Sequence, residues 1–119
     1  MGRPSGFKIR RAMRTGSTPV SRTKKKKHMN KRTQEILDIL QEECGEVIVE
    51  VSKCRRFGLE SQHYKTGQQH REMLEQELGD VLAMMKLLME SGTITESGLE
   101  AAAERKLEKL RKWSNVFDY

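Results

Sequence analysis

Two pairs of acidic residues are the part of this sequence best suited to carry out chemistry. Glu43 and Glu46 stand three residues apart, and the same spacing returns 34 residues later in Glu77 and Asp80. On a helix, residues three apart share one face, so two such helices could direct four carboxylates into one pocket. Bringing ionised carboxylates together out of water is costly unless a cation compensates their charge. Carboxylate and water oxygens are the ligands that Mg²⁺ and Mn²⁺ prefer, so the four acids predict a magnesium site that manganese would also fill.

A glycine stands directly before the second acid of each pair, at Gly45 and Gly79. Glycine inside a helix costs about 1 kcal/mol relative to alanine, so its presence there needs a reason. We expect both glycines to make room for a backbone or a ligand that approaches closely. The alternative is that the acids are ordinary surface residues paired with nearby lysines and arginines. Two matching pairs, each with glycine in the same register, favour the metal site.

A carboxylate-bound Mg²⁺ that keeps some of its waters is the usual arrangement for polyphosphate chemistry, because the ion bridges phosphate oxygens and activates a water for attack. Glu42 and Glu50 are additional acids near the first pair. Each could orient a ligand, bind a second metal ion, act as a general base or simply be solvated.

Basic residues near the helix ends are candidates for binding phosphates, although the helix dipole or a solvated face would also explain them. These candidates are Lys53, Arg56, Lys106 and Lys109. His63, Tyr64 and His70 could flank a base, but we interpret them as polar residues of an exposed loop.

The spacing of apolar residues predicts the helices that would hold these side chains. It is helical over residues 33–57 and 69–90, with a polar loop at 58–68, and Ser91 and Gly92 end the second helix. Ser97 and Glu100 form a capping box for a third helix that runs to residue 113. The low aromatic content of 5% and the charged content of 34% also suit helices. We predict an all-α helical bundle of three to four helices per chain, whose thin core is completed by oligomerisation to a homodimer or homotetramer.

The net charge of +6 belongs to the first part of the chain rather than to these helices. Residues 1–32 carry twelve basic and no acidic residues, whereas residues 33–119 have a net charge of −6. We predict a disordered basic tail at 1–32, a helical catalytic domain at 33–113 and a frayed end at 114–119. The four lysines at 24–27 are either a phosphate-binding arm or a solvated stretch. The alternative function is a non-catalytic helical oligomer whose tail binds nucleic acid.

Other features concern the start of the chain and its compartment. Residues 16–23 can be back-translated into the T-arm and 3′ end of a transfer-RNA gene, which leads to the hypothesis that Met29 is the biological start. No apolar run approaches the roughly 18 residues of a membrane span, so we expect no membrane partner. Cys44 and Cys54 are ten residues apart in one predicted helix, too far to form a disulfide, which favours a reduced, intracellular protein.

The acidic pairs also carry a family resemblance. Glu-Glu-x-x-Glu on one helix and Glu-x-x-Asp on the next form the signature of the MazG-like all-α nucleoside triphosphate pyrophosphohydrolases, which this sequence resembles over residues 33–113. The matching positions are Glu42, Glu43, Glu46, Glu77 and Asp80. The resemblance implies Mg²⁺-dependent cleavage of an NTP or dNTP to the monophosphate and pyrophosphate, by dimers or dimers of dimers. It also implies the metal ligands, which would be Glu43, Glu46, Glu77 and Asp80.

Three further points follow from this resemblance. Residues 53–58 and the small size of the chain are similar to short phage and bacterial members, which implies the cytoplasm of a bacterium or of a phage-infected cell. The basic tail is foreign to the family, in keeping with a start at Met29. The loop between the two motifs varies within the family, so the resemblance implies no base preference.

Overall fold

The computed structural model describes residues 29–119, and three helices make up most of this range. They are α1 (Lys31–Phe57), α2 (His70–Glu90) and α3 (Glu96–Trp113). No strand occurs between residues 29 and 119, apart from an isolated bridge that pairs Gln62 with Gln69. The predicted all-α fold is confirmed. Most of the predicted basic tail, including the lysines at 24–27, lies outside the described residues.

The first helix begins two residues earlier than the apolar spacing predicts, because Asn30 caps it. The Asn30 side-chain oxygen accepts a hydrogen bond from the Thr33 backbone N–H at 2.7 Å, which satisfies one of the amides left free at a helix start. At the other end, Gly58 has a φ of 96°, and its N–H donates to the Cys54 carbonyl at 2.9 Å. The helix between these caps has 27 residues, so it is about 40 Å long.

The first two helices pack antiparallel within the compact unit Met29–Glu96. Arg32, at the start of α1, forms a 2.8 Å ion pair with Glu90 at the end of α2. Near the other end of the hairpin, Glu50 contacts His70 at the start of α2. This antiparallel arrangement places the middle of α1 opposite the middle of α2, which is where the two acidic pairs lie.

Tight turns close the segment between α1 and α2, residues 58–69. The His63 N–H donates to the Gln68 carbonyl at 2.7 Å, and the Gly67 N–H donates to the His63 carbonyl at 2.9 Å. Gly67 has a φ of 77°, which a residue with a side chain rarely adopts. Arg71 and Glu60 form an ion pair across the base of this loop. Several hydrogen bonds and an ion pair therefore fix the course of this loop.

The core of this hairpin is small, as the sequence indicates. Its buried apolar residues are Ile36, Cys54 and Leu88. Several large apolar side chains on the same two helices are exposed, and they are Ile48, Val49, Val51, Leu78 and Leu82. Oligomerisation would cover such side chains, but it stays a prediction.

The described part of the other compact unit is Ser97–Tyr119. Because α3 begins at Glu96, Ser97 lies inside its first turn, and the predicted capping box at that serine is wrong. Residues 114–119, predicted to be frayed, form a turn. The Ser114 hydroxyl donates to the Leu110 carbonyl at 2.9 Å, and the Arg111 guanidinium lies 4.7 Å from the centre of the Phe117 ring.

None of the helices in residues 29–119 combines the length and the apolar composition needed to cross a membrane.

Candidate metal centre

Three of the four predicted metal ligands converge between the middles of α1 and α2. One carboxylate oxygen from each of Glu43, Glu77 and Asp80 lies within 4.8 Å of the other two. Glu43 and Glu77 are half-buried, and Asp80 is exposed. Opposite ligands of one Mg²⁺ are about 4 Å apart, so a small closure of these side chains would let their oxygens share an ion. The donor set consists of oxygens alone, which fits a hard divalent cation. We call these three residues the acidic cluster.

The fourth predicted ligand, Glu46, is exposed and lies outside the acidic cluster. Its charge nevertheless reaches the cluster, because it contributes to raising the pKa of Glu43 and of Glu77. Its role as a fourth ligand stays a prediction.

Partial burial and the neighbouring acids raise the pKa of Glu43 and of Glu77. Partial removal from water is the largest cause of the raised pKa of Glu43, followed by the charges of Asp80 and Glu77. The pKa of Glu77 is raised by the same loss of water and then by Asp80, Glu46 and Glu50, while Lys53 opposes the shift. Repulsion among carboxylates is relieved by a bound cation, so the cluster is poised to accept positive charge.

A buried pair of side chains lies further along the same hairpin. The His70 Nδ1 and a Glu50 carboxylate oxygen are 3.2 Å apart, and both side chains are only 5% exposed. The Cys54 thiol donates to the His70 carbonyl at 3.5 Å, and the Phe57 ring stacks on the imidazole with centroids 5.6 Å apart. The His70 Nδ1 and one Glu50 oxygen thus partner each other, and buried polar groups generally require such partners.

This pair corrects two interpretations made from the sequence. Glu50 is not solvated, and His70 is not a polar residue of an exposed loop, because each is 4% exposed. A signal for the contact exists in the sequence, since Glu50 continues the face of Glu46 by one helical turn and a buried acid there needs a partner. Which residue becomes that partner depends on how α2 docks against α1, and residue spacing alone does not show this.

A family comparison bears on what this site does. Residues 31–117 match the MazG nucleotide pyrophosphohydrolase domain. The chain belongs to this family. The match includes all three helices and therefore both acidic pairs, so the resemblance to MazG-like proteins is confirmed. A search of curated proteins and a search of solved structures each gave no significant match.

The remaining charged candidates of this MazG domain lie in different places. Glu42 is exposed, and its charge adds to the raised pKa of Glu43. Lys53 is half-buried and acts on Glu77, as described above. Arg56 is exposed, with its guanidinium 5.1 Å from the centre of the Phe57 ring.

Two further lysines, Lys106 and Lys109, occupy exposed positions on α3, in the Ser97–Tyr119 unit. Their part in binding phosphates stays a prediction.

The glycines inside α1 and α2, Gly45 and Gly79, have open space around them. Among residues 29–119, a Cβ atom added at Gly45 or at Gly79 would meet no atom within 4 Å beyond the adjoining backbone of its own helix. The expectation that these glycines admit a neighbouring backbone is therefore wrong for residues 29–119, while close approach of a ligand stays a prediction.

This space leads to a stability prediction. Gly79→Ala should raise the free energy of unfolding by up to about 1 kcal/mol in metal-free protein, because the methyl group meets nothing and alanine favours the helix. Chemical denaturation followed by circular dichroism measures the effect, and Gly45→Ala is the matched comparison. A lower stability of Gly79→Ala would show that a neighbour, such as a second copy of the chain, occupies the space.

The raised pKa of Glu77 predicts a pH effect on stability. Below about pH 4.5 the carboxyl group is protonated in both the folded and the unfolded state and makes no difference. As pH rises from that value through the raised folded-state pKa, ionisation costs more in the folded state, so metal-free protein loses stability. Glu77→Gln should remove this loss, and its thermal midpoint should therefore exceed that of the wild type by an amount that grows over this pH window. Glu75→Gln, which removes the same charge from an exposed position on the same helix, serves as the control.

Proposed function

We propose that this chain is a Mg²⁺-dependent pyrophosphohydrolase that converts a nucleoside or deoxynucleoside triphosphate to the monophosphate and pyrophosphate. Membership of the MazG nucleotide pyrophosphohydrolase domain family supports the reaction type. The acidic cluster is the observation that carries the proposal, because three carboxylate oxygens within 4.8 Å of one another could together hold a divalent cation. Nucleoside triphosphates are held inside cells, so the proposed activity belongs in the cytoplasm of a bacterium or of a phage-infected cell.

The chain's own residues supply the binding site for the ion and its substrate. Glu43, Glu77 and Asp80 would hold the ion, and Glu46 would complete the ligand set. When bound, Mg²⁺ neutralises charge on the phosphates and lowers the pKa of a water for in-line attack. Manganese has the same preference for oxygen ligands and would substitute for it.

Two other acids have distinct parts in this proposal. Glu42 is exposed, and it lies close enough to Glu43 for its charge to be felt there, so it is the candidate that accepts a proton from the attacking water. Glu50 is buried and bound to His70, so it holds α1 against α2 and keeps the two acidic pairs in register.

Basic residues bind the triphosphate. Lys53 is the nearest candidate, since its charge already acts on Glu77, and Arg56 follows one turn later on α1. Lys106 and Lys109 would add two further positive charges from α3. Their contribution is tested by charge-removing variants, which should raise KM more than they lower kcat.

Oligomerisation is part of the proposal. Val51 is 40% exposed and Ile48 is 70% exposed on α1, while Leu78 is 48% exposed on α2. A homodimer or homotetramer would bury such side chains in a larger helical bundle. Sedimentation equilibrium of the full chain measures the state directly, and a monomer at micromolar concentration would contradict this part.

The activity is tested with a panel of ribonucleoside and deoxyribonucleoside triphosphates, incubated with Mg²⁺ and assayed for pyrophosphate. We expect pyrophosphate release from at least one member of the panel and none when the metal is chelated. Asp38→Asn, a substitution of an exposed acid on α1, should retain this activity. Absence of pyrophosphate from every substrate at every Mg²⁺ concentration would contradict the proposal.

A further inference from the structure

A cavity of about 450 Å³ opens at the end of α1, where the loop of residues 58–69 turns back toward α2. This volume falls within the range of small-molecule sites, about 300–1,000 Å³. Aromatic rings dominate its lining, and they belong to Phe57, His63, Tyr64 and His70. The cavity has none of the three residues of the acidic cluster in its lining.

Two of these rings, Phe57 and Tyr64, present flat apolar surface that folding leaves largely uncovered. Phe57 stacks on His70 with centroids 5.6 Å apart, and His63 stacks on Tyr64 with centroids 5.0 Å apart. Yet Phe57 is 56% exposed and Tyr64 is 86% exposed. Exposed aromatic faces at a cavity favour a planar ligand that can stack on them.

A side-chain amide gives this cavity the means to distinguish one planar ligand from another. Gln62 lines the cavity and is exposed. Its amide carries both donors and an acceptor, which are the groups that hydrogen-bond to the edge of a heteroaromatic ring. Small-molecule sites combine apolar walls with a few placed polar groups in this way.

Lys53 connects the cavity to the acidic cluster. Its side chain lines the cavity, and it lies on α1, the same helix that carries Glu43. Along α1, Lys53 follows Glu43 of the acidic cluster by ten residues, which is about 15 Å of helix. A nucleotide whose phosphates lie at the acidic cluster and against Lys53 would therefore have its ring end near the aromatic walls.

We infer that this cavity binds the nucleobase of the substrate, with Tyr64 and Phe57 stacking on the ring and Gln62 hydrogen bonding to its edge. The inference rests on the proposed function for the position of the phosphates. It assigns base selection to the loop of residues 58–69 and the end of α1, and phosphate chemistry to the acidic cluster.

Nucleoside binding in the presence of EDTA tests the inference without any turnover. The common ribonucleosides and deoxyribonucleosides are titrated into the full chain, and their dissociation constants are measured by NMR. We expect at least one to bind in the millimolar range or tighter, and Tyr64→Ala to weaken it about tenfold, as loss of one stacking partner does. Tyr119→Ala removes a fully exposed tyrosine from the C-terminus and should leave binding unchanged.

A second variant examines selection between bases. Gln62→Ala should weaken binding of one base about tenfold more than binding of the others. Only a base whose edge presents matching donors and acceptors can hydrogen-bond to the Gln62 amide. An equal loss for all nucleosides would overturn the role of Gln62. The inference as a whole is overturned if no nucleoside binds, or if Tyr64→Ala binds as well as Tyr119→Ala does. Failure of the proposed function is a separate result, since it would show as absent pyrophosphate release whether or not nucleosides bind.

Discussion

Replacing Asp80 with asparagine should lower the rate of pyrophosphate release at least about a hundredfold, while helix content stays unchanged. Replacing a residue that only supports a metal ligand typically lowers metal affinity or activity 10–100-fold. Replacing a ligand itself should therefore lower the rate at least as much. The substitution preserves shape and removes one charge from a crowded cluster. We therefore expect metal-free Asp80→Asn to be as stable as the wild type or more stable, because Asp80 raises the pKa of both Glu43 and Glu77 by repulsion.

Kinetic assays and thermal unfolding of the same preparations check this expectation. Glu77→Gln should behave like Asp80→Asn in both measurements. Asp38→Asn and Glu75→Gln remove the same groups from exposed positions on the same helices and should remain active. If Asp80→Asn unfolded while its folded fraction kept normal activity, the residue would be structural and the assignment of the cluster as the metal site would be wrong.

The second large effect is on stability. His70→Ala should lower the free energy of unfolding by about 3 kcal/mol, since it leaves the buried Glu50 carboxylate without its partner. For a domain of this size, that loss lowers the thermal midpoint by more than about 10 °C. The neighbouring Arg71→Ala is the matched control. It breaks the pair with Glu60, in which both side chains are more than half exposed, and should cost at most about 1 kcal/mol.

A double-mutant cycle shows whether the loss comes from the pair. Glu50→Ala alone should cost about as much as His70→Ala, and the double variant should cost less than the sum of the two. Additive effects, or a cost for His70→Ala no larger than for Arg71→Ala, would contradict the view that this buried contact holds the hairpin together.

Much of this architecture could be predicted from the sequence, because it depends on periodicity. The 3.6-residue repeat places Glu43 and Glu77 on faces beside apolar residues, and it defines α1 and α2 to within about two residues. The start of α1 was harder to predict. Lys31 and Arg32 have the composition of the basic tail, and only the capping contact of Asn30 shows that they belong to the helix.

The contacts that depend on docking could not be predicted. The Glu50–His70 pair joins residues 20 apart, and nothing local to either residue indicates the other. The same is true of the cavity, since Phe57 and His70 meet only because the loop returns α2 against the end of α1. The open space at Gly79 likewise depends on how the helices are arranged and not on residue type.

Titration with Mn²⁺, followed by the electron paramagnetic resonance signal of the free ion, tests most directly whether the acidic cluster binds metal. The measurement needs no substrate, so it separates the site from its activity. We predict that the full chain removes free Mn²⁺ from solution, that Mg²⁺ competes for the same site, and that Asp80→Asn weakens binding at least about tenfold. Asp38→Asn should bind as the wild type does. Equal Mn²⁺ binding by the wild type and Asp80→Asn, or no binding by either, would contradict the central claim that Glu43, Glu77 and Asp80 hold the catalytic ion.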